Sequence, residues 1–252
     1  MRKALLIGMH QDVVDDAIGM FGLLASLGYE IPNMRIICDS AKKFPNYRCR
    51  SPTTGNIIKG IRWLINHAEK GDTLILFWSG IDITFQSKVY DHVRYMTALI
   101  GSLPSSVTFV MMFDSCPFTE WPFSWNAKSL TDSTVVMKYN KSSVVKNTKV
   151  ILYTGGENIE EFITMDVKDL PDRSTAQGLR QRRELPSVSG LWYSCFCRSI
   201  MRAMMQTWND YVTPIEFLLK MRESVDTDDY QPICCVMDPV YFHNILWNEK
   251  TT

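Results

Sequence analysis

Short apolar runs alternate with stretches of helical periodicity along most of the chain. Runs at residues 3–8, 34–39, 73–79, 107–116, 149–154 and 232–237 predict six strands, short and nearly uninterrupted as buried strands are. Between them, Val13, Ala17, Met20, Leu23, Leu24 and Leu27 recur at helical spacing, with Gly28 as the stop. Thr53 or Thr54 caps a second helix through Ile57, Ile58, Ile61, Trp63, Leu64 and Ile65, ending near Gly71. A third helix is expected around residues 90–102, before Pro104, and a fourth over 191–208 through Trp192, Cys195, Ile200, Met204 and Met205. Thr213-Pro214-Ile215-Glu216 has a capping threonine, a first-turn proline and an acid, and opens a helix ending near Arg222. Residues 40–52 and 157–190 lack such periods and read as loops, the latter extended and carrying the basic cluster Arg180-Gln181-Arg182-Arg183. Repeated strand-helix units imply an α/β fold with a mainly parallel sheet covered on both faces, and place its chemistry at the carboxyl ends of the strands.

Composition narrows the class. With 252 residues, 46% hydrophobic, the chain suffices for one domain over 1–252 with a substantial core. Lys+Arg and Asp+Glu balance at 27 each, so no net field would gather nucleic acid or an anionic membrane, and neither is an expected partner. The apolar run after Met1-Arg2-Lys3 is too short for a signal peptide, and no stretch approaches the roughly 18 apolar residues of a membrane span. The seven cysteines are odd in number and form no CxxC, which points to reduced, buried thiols in a cytoplasmic protein. Cys195-Phe196-Cys197 resembles half of a metal site without a second half, so no metal is expected there.

The strand 107–116 ends in Asp114-Ser115-Cys116, delivering a thiol to the carboxyl edge of the sheet, where it reads either as a nucleophile or as a buried strand cysteine. Several motifs share an order with this one: Lys3-Ala4-Leu5-Leu6-Ile7-Gly8, Asp15-Asp16-Ala17, Pro52-Thr53-Thr54-Gly55-Asn56-Ile57, Arg62-Trp63-Leu64, Gly71-Asp72, Ser79-Gly80 and Glu120-Trp121-Pro122-Phe123-Ser124-Trp125. Together they resemble the type I metacaspases, caspase-like cysteine peptidases, best over residues 3–130 and less well over 149–239. The resemblance implies a caspase/haemoglobinase-like three-layer sandwich, a mainly parallel six-stranded sheet with helices on both faces, as a single p20/p10-type domain.

The resemblance also assigns roles. Cys116 falls on the nucleophile, but the family's Ser-Gly-His-Gly motif reads Ser79-Gly80-Ile81-Asp82, so Ile81 stands where the base belongs. Asp16, Ser79 and Asp114 match the polar positions of the pocket that receives an Arg or Lys side chain, while a cysteine expected nearby is Val13. Read without the family, Asp16 opens a helix and Asp114 hydrogen-bonds turn amides. Residues 81–103 contain only Asp82 and Asp91 as acids, too few for the six to eight oxygen ligands calcium takes, so loss of the family's calcium activation, and no other cofactor, is expected. The expectation is a pseudopeptidase with a broken Cys-His dyad, acting as a regulatory or peptide-binding partner for basic peptides or other metacaspases. The alternative is a divergent Arg/Lys-specific cysteine endopeptidase with Cys116 and a relocated base, His10 or His92, matured by cleavage at Arg180-Gln181-Arg182-Arg183.

Overall fold

The computed structural model describes residues 1–9, 13–38, 49–80, 100–104, 106–114, 126–131, 134–138, 149–156, 194–208, 210–224, 231–236 and 246. In chain order the elements are β1 (Arg2–Gly8), α1 (Val14–Ser26), β2 (Met34–Cys38), α2 (Thr54–Ile65), β3 (Thr73–Ser79), β4 (Thr108–Asp114), β5 (Asn126–Thr131), β6 (Thr134–Lys138), β7 (Lys149–Gly156), α3 (Cys195–Thr207), α4 (Pro214–Glu223) and β8 (Gln231–Val236). One sheet runs β2-β1-β3-β4-β7-β8-β5-β6, parallel from β2 to β7 and antiparallel from β8 outward.

Period-two alternation splits the core in two. Ala4, Leu6, Ile75, Phe77, Val110, Met112, Ile151 and Tyr153 face the layer containing α1, α3 and α4. Leu5, Ile7, Leu74, Leu76, Trp78, Phe109, Met111, Phe113, Val150 and Leu152 face α2 and the 100–107 segment. Because consecutive residues of a strand point to opposite faces and both faces are covered, the central strands need apolar residues at every position. Each such side chain contributes about 1.5–3 kcal/mol relative to exposure. Tyr153 also ties α4 to the sheet, through its hydroxyl to Pro214 O at 3.2 Å and its ring edge to Phe217 at 5.0 Å between centroids.

The caps follow the sequence. Thr53 accepts from Asn56 N and opens α2, Thr213 and Glu216 complete a reciprocal capping box on α4, and Gly28 adopts φ +87 just beyond α1.

Two expectations need correction. Among the described residues the sheet has eight strands rather than six, because β5 and β6 form a hairpin beside β8. Their sequences, Asn-Ala-Lys-Ser-Leu-Thr and Thr-Val-Val-Met-Lys, are half polar and lack the continuous apolar run that marks a doubly buried strand. Helix α2 ends at Ile65 rather than near Gly71: Asn66 turns extended, and the Lys3 ammonium donates to its carbonyl at 2.7 Å. A buried lysine on β1, distant in sequence, thus fixes the helix end. Residues 100–101 are helical as expected and Ser102 is already a turn, while residues 90–99 of the anticipated helix and the 157–190 loop lie outside the described residues.

Candidate functional site

The parallel register puts four residues on one row across the carboxyl edge. Gly8 of β1 pairs with Cys38 of β2 on one side and Ser79 of β3 on the other, and Ser79 pairs with Asp114 of β4. Helix α1 starts just beyond this row. Its first turn approaches β1 so closely that a Cβ on Gly8 would lie 3.0 Å from Val13 O and 3.5 Å from Ala17 Cβ. This approach brings Asp16 down onto the strand ends.

Ser79 Oγ donates to Asp16 Oδ2 at 2.6 Å and lies 3.2 Å from Asp114 Oδ2. A hydroxyl has one proton to give, and the shorter distance assigns it to Asp16, as expected of a charge-assisted bond. The other oxygen of Asp16 accepts from Ser194 N at 2.8 Å, the residue that caps α3. Asp16 and Ser79 are buried, at 1% and 0% exposure, whereas Asp114 is partly exposed. Helix α1 has Val13 as its N-cap, with no side-chain cap bond, so the Asp16 carboxylate serves Ser79 and Ser194 across the fold.

Cys197, one turn into α3, completes the cluster, its Sγ 3.6 Å from Asp16 O. Burial pushes its thiol pKa well up, and the negative charges of Asp16 and Asp114, with a hydrogen bond to Asp16, push it further. The thiol is held neutral, which suits a packing group and not a nucleophile. Among the described residues no group of three or more His, Cys, Asp or Glu could hold a metal ion.

The structure therefore brings together Asp16, Ser79 and Asp114. Cys116, Ile81, His10 and His92 lie outside the described residues. Sequence reading missed Ser194 and Cys197 as neighbours of the acids; Ser194 carries a helix-cap signal, but nothing local announces a bond to a residue 178 positions away. A cavity of about 860 Å³ lies at the opposite, amino edge of the sheet, lined by Arg35, Arg62, Trp63 and His67, and its charge is wrong for a basic side chain.

The sheet order, with helices on both faces and a polar cluster at the carboxyl edge, defines a caspase-like α/β protein. Residues 2–96 match the family model described as metacaspase, peptidase C14 domain. Metacaspase-1 of Schizosaccharomyces pombe is 25% identical over 178 residues, covering 57% of this chain and 41% of that protein. Metacaspase-5 of Trypanosoma cruzi is 27% identical over 143 residues, covering 45% and 32%. Over these stretches the chain is similar to metacaspases, and the alignments leave well over half of each of these relatives unmatched. The crystal structure of protein GSU0716 from Geobacter sulfurreducens shares the fold, with a TM-score of 0.53 and 14% identity over 98% of this chain and 99% of that one. No helix among the described residues is long and apolar enough to cross a membrane.

Proposed function

We propose that this metacaspase-like chain is a pseudopeptidase that binds a basic side chain of a peptide or protein partner without cleaving it. The observation that carries the reading is the Asp16–Ser79–Asp114 cluster at the carboxyl edge, with Asp114 partly exposed. A carboxylate pairs naturally with a guanidinium or ammonium group, and the partial exposure of Asp114 lets such a group approach it. Asp16, buried and anchored by Ser79 and Ser194, adds a second negative charge behind Ser79.

The absence of turnover rests on the sequence. Peptide hydrolysis at Cys116 needs a base to take the thiol proton and an acid to protonate the leaving amine. Ile81, which follows Ser79-Gly80, can do neither. An unassisted thiol is only a few per cent ionised near neutral pH.

The test is fluorescence anisotropy with a labelled Arg-containing peptide and its citrulline counterpart, in parallel with a cleavage assay with and without calcium. The Arg peptide is expected to bind at least about tenfold more tightly than the citrulline peptide, with the advantage lost in Asp114→Asn, as befits loss of a charge-assisted bond of about 1.5–3 kcal/mol. Equal binding of the two peptides, unchanged by Asp114→Asn, refutes the recognition reading. Cleavage that disappears in Cys116→Ala refutes the pseudopeptidase reading and establishes an endopeptidase with a relocated base.

A further inference from the structure

The outer end of the same row lies beside a pair of thiols. Cys38 is the last residue of β2, on the sheet's edge strand, and is 1% exposed. Cys49 is half-buried and packs against the core cluster to which Cys38 belongs. Arg50 joins the edge of β2 through a parallel bridge to Ile37, with Cys38 N donating to Arg50 O at 2.9 Å and Arg50 N to Ile36 O at 3.5 Å. Along this edge Ile37 points into the α2-side core, while Cys38 points to the α1 side. Alternation from Arg50 sends the preceding Cys49 to that same side. The two cysteines therefore lie on the same side of this edge, packed in one cluster, and a hydrogen bond between their thiols offsets part of the rise that burial gives the Cys49 pKa.

We propose that Cys38 and Cys49 are a disulfide-forming pair, oxidised by a low-molecular-weight disulfide of the glutathione class. Cys49, the accessible member, attacks one sulfur of the oxidant as thiolate and expels one glutathione thiolate, leaving a mixed disulfide. Cys38 then attacks the Cys49 sulfur and expels the second glutathione. Two protein thiols become one disulfide, two protons are released to the leaving thiolates and solvent, and the oxidant is reduced to two thiols. Closing from a hydrogen-bonded contact to an S–S bond of about 2.0 Å asks for movement on one side. The Cys49 side can supply it: among the described residues, the segment it belongs to joins β2 through the isolated Arg50 bridge, and one of that bridge's bonds is already long, at 3.5 Å. Burial raises the Cys49 thiol pKa and the Cys38 hydrogen bond offsets part of the rise, so oxidation accelerates with increasing pH. The inference uses neither Cys116 nor the acids and stands apart from the peptide-binding reading.

The experiment equilibrates the full folded chain with reduced and oxidised glutathione at a series of ratios, quenches with acid, alkylates and digests with trypsin. Cleavage after Lys42, Lys43 and Arg48 separates the two cysteines, so a joined peptide pair two hydrogens lighter reports the bond directly. That pair is expected to appear as the ratio becomes oxidising, to vanish on adding dithiothreitol, and to be absent in both Cys38→Ser and Cys49→Ala. In Cys38→Ser, Cys49 should instead retain one glutathione, which shows that a folded variant still reacts. A stable glutathione adduct on Cys49 of the unaltered protein, with Cys38 still alkylatable, overturns the proposal. So does a fully reduced pair at the most oxidising ratio.

Discussion

Ser79 holds one proton between two carboxylates, and its distances divide their roles. Asp16, with one oxygen on Ser79 and the other on Ser194, anchors the fold, while Asp114 is partly exposed. That division is why Asp114→Asn tests recognition, whereas altering Asp16 would strip a buried amide and a buried hydroxyl of their acceptor and mainly test stability. Lys149 makes a second residue-scale case. It opens β7 with 9% exposure, and burial lowers its ammonium pKa from 10.5 to about 8. Between those values the unfolded chain binds more protons than the folded one, so this group's contribution to stability improves as pH rises from about 8 to 10.5. Below about 8 its penalty, on the order of 3 kcal/mol at most, is present in full. Lys149→Met is therefore expected to be more stable than the unaltered chain at pH 7.5, with the gap narrowing toward pH 9.5 in urea titrations. A gap that does not change with pH would contradict the assignment.

At the scale of elements, the seam between β1 and α1 decides where Asp16 sits. Gly8→Ala puts a methyl 3.0 Å from Val13 O, a backbone atom unable to move without the helix. Gly22→Ala, in the same helix, meets nothing within 4 Å. The expected outcome is a loss of about 1–3 kcal/mol in thermal or urea unfolding for Gly8→Ala, accompanied by weaker Arg-peptide binding. Gly22→Ala should be neutral or stabilising by up to about 1 kcal/mol. Equal effects of the two would mean that the close approach does not position the acid. The central strands were legible in the sequence because doubly buried strands need uninterrupted apolar runs, and Thr53, Thr213 and Gly28 were legible because caps act locally. The hairpin β5–β6 and the end of α2 were not: the first is half polar, and the second depends on a lysine 63 positions away. The acids of the candidate site were readable from their motif order at strand ends. Their contacts with Ser194 and Cys197 depend on long-range packing that has no local signature.

For the whole molecule, the carboxyl-edge cluster is assembled from both ends of the chain. Residues before Gly156 supply Asp16, Ser79 and Asp114, whereas Ser194, α3, α4 and β8 come from the other side of the basic cluster at Arg180-Gln181-Arg182-Arg183. Strand β8 lies between β7 and β5, so the later segment is held on both sides by strands of the earlier one. A site-specific protease sequence inserted at Arg182 and cut in the folded protein should leave two fragments that co-elute in native size-exclusion chromatography and part only in denaturant. Fragments that separate without denaturant would show that the covalent connection, and not packing, holds the halves together. The hairpin also governs how copies of the chain can meet. A last strand with an open row of amides and carbonyls invites another strand to continue the sheet, but on β8 that row is occupied by β5. At the far side, Arg50 covers part of β2, and at the near side the sheet stops at the five residues of β6. Among the described residues, the rows left open to a further strand are therefore the part of β2 that Arg50 does not cover and the five residues of β6.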